Sequence, residues 1–288
     1  MSDLNSLQKA HQLNEYRRRH AITQLKRKLS PIVGEEWWWC RNEVLTEIQN
    51  CFKASGTHAV IDGFLGSASF FAVLEEIRKA HASSLLNTPG LVGGGERGVA
   101  SQSYLDNMVR SDTIGWFDCS STPEKASSCQ FEGVLDSSVT WPHLALLLSK
   151  METLVAELGL INAPNDFSGC STRSRCMITL YKGSPGDESR YTRHYDNANR
   201  NGRRVTAIYY ANNDWTRASG GQLRMYSQDT NPLYVDVEPV ADRLVLFYSD
   251  MRCLHEVLPA HADRYALTVW FFDRIEKADA KIRQEFDK

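Results

Sequence analysis

The order of patterns along the 288 residues predicts an α+β fold: a double-stranded β-helix (jelly roll) core with helices packed on one sheet. Three observations predict it. Helix-period segments fill the N-terminal half. From residue 176 the pattern changes to short alternating strands. Turn signals at Asn201-Gly202 and Gly220-Gly221 separate those strands. Helices first and many antiparallel strands afterwards place helices on a two-sheet core.

Each element follows from local chemistry. Residues 1–31 are polar and helix-prone, and Pro31 is expected to end them because proline disfavours helix in the residue before it. The basic clusters Arg17-Arg18-Arg19 and Lys26-Arg27-Lys28 read as a solvated helical face in preference to a nuclear-import signal. Trp37-Trp38-Trp39 reads as a hydrophobic plug holding this extension on the core, with a partner-docking patch as the weaker reading. Residues 43–53 place Val44, Leu45, Ile48 and Phe52 at helical spacing. A short strand over 59–61 follows, then Gly63 and Gly66 break the chain before a helix over 69–82. The stretch 87–103 contains Gly93-Gly94-Gly95, and so long a glycine-rich loop is uncommon unless mobile or functional. It lacks the Gly-Lys-Ser/Thr ending of a phosphate cradle. Segment 120–128 is a second loop, and 142–158 an amphipathic helix opened by Pro142. A charged helix over 274–288 ends the chain. The expected organisation is a helical extension over 1–40 and one domain over 41–288, with the jelly-roll core at about 174–273.

Composition narrows the function. The net charge of −2 argues against a nucleic-acid binder, which usually carries a basic excess. No apolar run is long enough to span a membrane, and the start Met1-Ser2-Asp3-Leu4-Asn5 has no signal-peptide pattern. Seven cysteines, odd in number and scattered without metal-type pair spacing, fit reduced thiols in a cytosolic or nuclear protein. A monomer is the expectation.

The chemistry concentrates in His194, Asp196 and His255. On a strand, residues two apart share a face, so His194 and Asp196 converge on one point and a distant strand brings His255. Two histidines and one carboxylate leave one side of an iron open, the arrangement of non-haem Fe(II) oxygenases. A lone His-x-Asp is more often a hydrogen-bonded surface pair; what raises this one is the strand pattern beside both histidines and the cation Arg264. Period-2 alternation puts Arg264, Ala266, Thr268 and Trp270 on one face. An inward guanidinium requires an anionic partner, and a bidentate carboxylate suits it. The 5-carboxylate of 2-oxoglutarate would serve. Zinc accepts similar ligands but leaves a diacid pocket unexplained.

These residues sit within a longer resemblance. The motifs Tyr191-Thr192-Arg193-His194-Tyr195-Asp196-Asn197, Asp214-Trp215, Gly220-Gly221-Gln222-Leu223, Asp242-Arg243-Leu244, His255-Glu256-Val257 and Arg264-Tyr265-Ala266-Leu267-Thr268-Val269-Trp270 resemble the catalytic core of the HIF-type, oxygen-sensing prolyl 4-hydroxylases, Fe(II)/2-oxoglutarate-dependent dioxygenases. The likeness is near-continuous over 176–273 and weaker over 60–66 and 110–116. It implies Fe(II), 2-oxoglutarate and O₂, with ascorbate as reductant. It implies that Tyr210 joins Arg264 at the distal carboxylate, that Tyr181 lies near the ketoacid, and that Thr268 and Leu223 line the pocket. For Leu223, ordinary barrel filling is the stronger reading. It also implies that Tyr191 and Trp270 flank the target proline, that Arg203 takes the substrate backbone, and that Asp112 tethers a mobile loop closing over the peptide. For Trp270, core packing stands beside substrate contact. Departures from animal members at 182–190, Gly93-Gly94-Gly95 and the region of Ser120 bear on substrate identity.

The resulting expectation is hydroxylation of prolyl C4 in an intracellular protein: a HIF-like factor, an F-box ubiquitin-ligase adaptor or a translation factor. Two competitors remain. A nucleic-acid demethylase of the same superfamily would want a basic groove. A non-catalytic jelly-roll module sensing 2-oxoglutarate or metal has no need of iron's open positions.

Overall fold

Alternate side chains of the central strands enter two different cores. In the computed structural model, which describes residues 2–34, 36–91, 105–119, 129–134, 138–226 and 234–286, Val205, Ala207 and Tyr209 join the helices, while Ile208 and Tyr210 face the second sheet. Period-2 geometry produces this division.

The chain opens with helix α1 (Ser2–Val33), a turn of 3-10 helix at Trp38–Cys40, α2 (Asn42–Ser55), strand β1 (His58–Asp62) and α3 (Ser67–Ala82). Then come β2 (Thr88–Pro89), β3 (Thr113–Cys119), β4 (Cys129–Phe131) and α4 (Pro142–Leu160). The strand-rich part runs β5 (Cys170–Arg173), β6 (Cys176–Tyr181), β7 (Gly183–Ser184), β8 (Asp187–Glu188), β9 (Tyr191–His194) and β10 (Arg203–Tyr210). It continues through β11 (Leu223–Tyr226), β12 (Tyr234–Val237), β13 (Arg243–Tyr248), β14 (Leu254–Val257) and β15 (Arg264–Asp273), and α5 (Arg274–Phe286) follows.

The larger sheet has the order β1-β13-β10-β15-β6-β3-β2, with β4 on β3 and β5 on β15; the smaller is β12-β11-β14-β9. Every pairing between these strands is antiparallel. The jelly roll with helices on one sheet is therefore present. Phe70, Val73, Leu74 and Ile77 of α3 and Leu147, Met151 and Leu154 of α4 share one core with Leu244, Leu246, Leu267 and Val269 of the larger sheet.

Three expectations change or sharpen. Pro31 does not end α1, which continues to Val33. The terminator is Gly34, at φ +79° with its N–H on the Ser30 carbonyl at 2.9 Å, a left-handed glycine cap. Trp38 and Trp39 are fully buried where α1 packs on α2, so these two act as a plug, whereas Trp37 is 39% exposed. The cysteines are not all reduced: Cys119 and Cys129, opposite each other across β3 and β4, form a disulfide. A count of scattered cysteines cannot reveal that a hairpin brings two of them into register. The loops at 92–104 and 120–128, including Gly93-Gly94-Gly95, lie outside the described residues. Among the described residues, no helix is long and apolar enough to cross a membrane.

Candidate active site

Strands β9 and β14 pair so that His194 lies directly opposite His255. Asp196 follows β9 by two residues, and one ligand atom from each of the three side chains lies within 4.8 Å of the others. His194 Nε2 is 3.6 Å and His255 Nε2 3.9 Å from Asp196 Oδ1. The opposite ring nitrogens are engaged: His194 Nδ1 meets the Thr192 carbonyl at 2.8 Å and His255 Nδ1 the Cys253 carbonyl at 3.0 Å. A carbonyl can only accept, so Nδ1 carries the proton and Nε2 presents a lone pair toward Asp196. The other carboxylate oxygen, Asp196 Oδ2, accepts from Thr206 Oγ1 at 2.7 Å, and Thr206 is also hydrogen-bonded to Ser249.

Electrostatics favour the ligating forms. Burial, then the neighbouring His255, push the His194 imidazolium down to about 3. Burial works to raise Asp196, but His255, His194, Arg203 and the Thr206 hydrogen bond outweigh it and hold the carboxyl below its ordinary range. A neutral imidazole beside a carboxylate is what a divalent metal requires.

A cavity of about 270 Å³ joins this set to Arg264. Tyr181, Leu223, Thr268, Trp270, Tyr191 and Arg203, all named from the sequence, line it. Arg264 begins β15 opposite Tyr181 and is 2% exposed. Its guanidinium carbon lies 4.8 Å from the Tyr181 ring centre and 4.9 Å from that of Tyr210. Arg264 Nε and the Tyr210 hydroxyl are buried without a hydrogen-bond partner. Burial raises the Tyr210 pKa despite the nearby Arg264 and Arg243, keeping it a neutral donor. Arg264 lines the cavity, whereas Tyr210, named from the sequence for the same role, does not line it and is buried beside Arg264. An unpartnered guanidinium donor on the cavity fits an anionic ligand, because it costs free energy until it finds an acceptor. Thr179, Ile208, Val257 and Ala266 are also among the lining residues; sequence reasoning did not single them out for the pocket, although their inward alternation was visible.

Toward the mouth, Arg203 stacks over Trp270 at 4.0 Å and donates to the Asp196 carbonyl at 3.2 Å. Tyr191 stacks on His194, ring centres 3.6 Å apart, and the Arg110 guanidinium carbon lies 4.6 Å from the Tyr191 ring centre. Asp112 does not line the cavity. It clamps Arg110 through bonds of 2.7 and 2.6 Å, and its backbone carbonyl accepts from Gly90 N–H. Burial opposes the Arg110 charge, but Asp112 more than restores it and raises the pKa. Sequence reasoning gave Arg110 no role; its one signal was a cation two positions from Asp112 on a common face.

The 2OG-Fe(II) oxygenase superfamily model matches residues 176–272, and that superfamily uses Fe(II), 2-oxoglutarate and O₂. The chain is 34% identical over 240 residues to Egl nine homolog 1 of Homo sapiens, covering 83% of this chain and 49% of that protein. It thus spans about half the length of the human relative. It is also 34% identical over 222 residues to the human prolyl hydroxylase EGLN3, covering 77% of this chain and 80% of that one. Among solved structures, a prolyl hydroxylase from Trichoplax adhaerens, in complex with a hypoxia inducible factor oxygen degradation domain peptide fragment, superposes with a TM-score of 0.63 at 30% identity over 82% of this chain and 92% of that chain. With its His-Asp-His set, its jelly roll and this extent of likeness, the chain belongs to the Egl nine, or HIF-type, prolyl hydroxylase family of 2OG-Fe(II) oxygenases.

Proposed function

We propose that the protein is a Fe(II)- and 2-oxoglutarate-dependent dioxygenase that hydroxylates C4 of a prolyl residue in an intracellular protein. One observation carries the reading: the His194–Asp196–His255 set and Arg264, whose Nε has no hydrogen-bond partner, open onto the same cavity, with the Tyr210 ring buried beside the Arg264 guanidinium. A binding module needs no such coupling, and a nucleic-acid demethylase gains no support from the net charge of −2.

His194 Nε2, Asp196 Oδ1 and His255 Nε2 would hold the metal on one side, leaving the other open. Arg264 and Tyr210 would take the distal carboxylate of 2-oxoglutarate, with Tyr181 above its ketoacid half. Bound iron, 2-oxoglutarate and O₂ together supply the oxidising chemistry. The protein positions and excludes. Leu223, Ile208, Val257 and Ala266 keep the cavity wall dry. Thr206 fixes the Asp196 carboxylate, and Tyr191 and Trp270 form aromatic walls for a proline ring beside the metal. Arg203 stands where it can meet a substrate carbonyl. The peptide bound by the Trichoplax relative makes a HIF-like proline segment the first substrate to try; an F-box adaptor or a translation factor is the next.

The test is incubation of the enzyme with Fe(II), 2-oxoglutarate, ascorbate and such a peptide, then of cell lysate, with mass spectrometry for one added oxygen on proline. Oxygen addition at C4 that requires 2-oxoglutarate supports the reading. Decarboxylation coupled to no proline oxidation in peptide or lysate overturns it.

A further inference from the structure

The β3–β4 hairpin connects a cysteine pair to the wall of the cavity. Cys119 and Cys129 are cross-strand partners joined by a disulfide. Further along, the Glu132 N–H donates to the Trp116 carbonyl at 2.8 Å. Glu132 pairs with Arg175 at 2.9 Å, and Arg175 covers the Trp116 ring at 4.8 Å. Trp116 in turn lies 6.3 Å, ring to ring, from Trp270, which lines the cavity. Three register pairs hold β4 to β3. In so short a ladder, a covalent cross-link between its last pair adds to the packing of Phe131 on Phe117 and Trp141 in holding β4.

We infer that Cys119–Cys129 is a reversible thiol–disulfide modification site that sets, through Trp116, the firmness of the cavity wall at Trp270. Disulfides are rare in reducing compartments, and those present there are usually transient or redox-sensing. The intracellular setting rests on the function proposed above; the site itself does not. Cys119 is half-buried and Cys129 is 6% exposed, so Cys119 is the more exposed residue of the pair. A small-molecule thiolate of the glutathione class attacks Cys119 Sγ, and Cys129 leaves as a thiolate that takes a proton from water. A second thiol resolves the mixed disulfide. The protein gains two hydrogens and the small thiol becomes its own disulfide. Among the other cysteines, Cys51, Cys176 and Cys253 are buried, and burial pushes the Cys170 and Cys176 thiols up to about 12. They are poor competitors.

Reduction removes the cross-link and leaves Glu132, Arg175 and Trp116 held only by non-covalent contacts. The expected effect is a peptide KM raised about two- to thirtyfold, the range for coupling through residues that do not touch the ligand, with an unchanged 2-oxoglutarate KM.

The test equilibrates the iron-loaded enzyme in glutathione redox buffers at constant ascorbate. Acid quench, alkylation and mass spectrometry then count thiols, and hydrogen exchange reads the Phe131 and Glu132 amides. Oxidised protein should show five free thiols and slow exchange at Glu132. Reduced protein should show seven thiols and faster exchange there, with β10 and β13 unchanged. Peptide KM should follow the exchange, and the Cys119→Ser/Cys129→Ser double variant should ignore the buffer. Equal exchange in both forms overturns the inference, whatever the substrate proves to be. So does peptide KM that ignores the redox state, moves together with the 2-oxoglutarate KM, or still follows the buffer in the double variant. Absence of prolyl hydroxylation in both forms counts against the functional reading instead, and hydrogen exchange alone then decides this one.

Discussion

Gly221 lies against the side chain of Arg264: a Cβ at position 221 would approach Arg264 Cδ to 2.7 Å. Gly221 also sits at φ +70°, where other residues are strained. The turn signal between strands thus has a second role, giving Arg264 the room to extend into the cavity. Gly221→Ala should displace the guanidinium and weaken 2-oxoglutarate binding by about a decade, or ~1.4 kcal/mol. Isothermal titration of the metal-loaded protein would show it. Unchanged affinity in a folded variant would remove Gly221 from the site.

Arg264 and Tyr210 should divide the diacid contact unequally. Losing a charge-assisted hydrogen bond costs roughly 1.5–3 kcal/mol, or about one to two decades in affinity. Arg264→Ala should therefore raise the 2-oxoglutarate requirement strongly and Tyr210→Phe more mildly, with the peptide requirement little changed in both. If neither variant shifts the cosubstrate KM, the diacid sits elsewhere.

The metal set makes a graded prediction. Asp196→Ala removes the carboxylate and should abolish iron-dependent turnover. Thr206→Val removes only the hydrogen bond that orients Asp196. Loss of such an outer partner typically costs about 10–100-fold in metal affinity. Competition with a chromophoric chelator would measure it. Robust hydroxylation by Asp196→Ala would sink the assignment of the triad.

Much of this architecture was legible in the chain because it rests on periodicity. Arg264, Thr268 and Trp270 were placed by alternation, and His194 and Asp196 by their two-residue spacing, whereas Tyr210 came from the family resemblance. What the sequence hid is contact between residues distant along the chain. Nothing local says that Thr206 meets Asp196, that Gly221 meets Arg264, or that Cys119 faces Cys129. The strands β2, β4 and β5 were invisible for a different reason: they are two to four residues long, too short to show a period, and are formed by pairing with stronger neighbours.

Asp112 offers a test of the mouth. Its bidentate clamp keeps Arg110 over Tyr191, and Tyr191 in turn rests on His194. Breaking a buried pair by removing one partner costs roughly 3–5 kcal/mol. Asp112→Asn keeps the volume and one acceptor, so it should lose less than Asp112→Ala. Both should impair peptide turnover more than 2-oxoglutarate binding. Equal losses in the two parameters would make the pair a stability element only.

The C-terminal helix supplies the pH prediction. Asp273 Oδ1 accepts from the Ile275 and Glu276 N–H groups at 3.0 and 2.9 Å, and Oδ2 accepts from Arg204 at 3.0 Å. It is the N-cap of α5. Burial works to raise its pKa, but the Glu276 N–H, Arg204 and the Ile275 N–H outweigh it and hold the carboxyl below its ordinary value. A depressed carboxyl pKa stabilises the fold fully above the unfolded value of about 4 and loses that contribution as pH falls through the folded value. Amides of α5 should therefore lose hydrogen-exchange protection below about pH 4, while the core strands β10 and β13 keep theirs. Asp273→Ala should mimic this at neutral pH at a cost of ~1 kcal/mol, as for other N-caps. The effect should reach the site, because Glu276 in the first turn accepts from Asn197, the neighbour of Asp196, at 3.3 Å. Metal affinity of Asp273→Ala at neutral pH is the measurement that decides. A frayed α5 with unaltered metal binding would show that the helix is packed beside the site without supporting it.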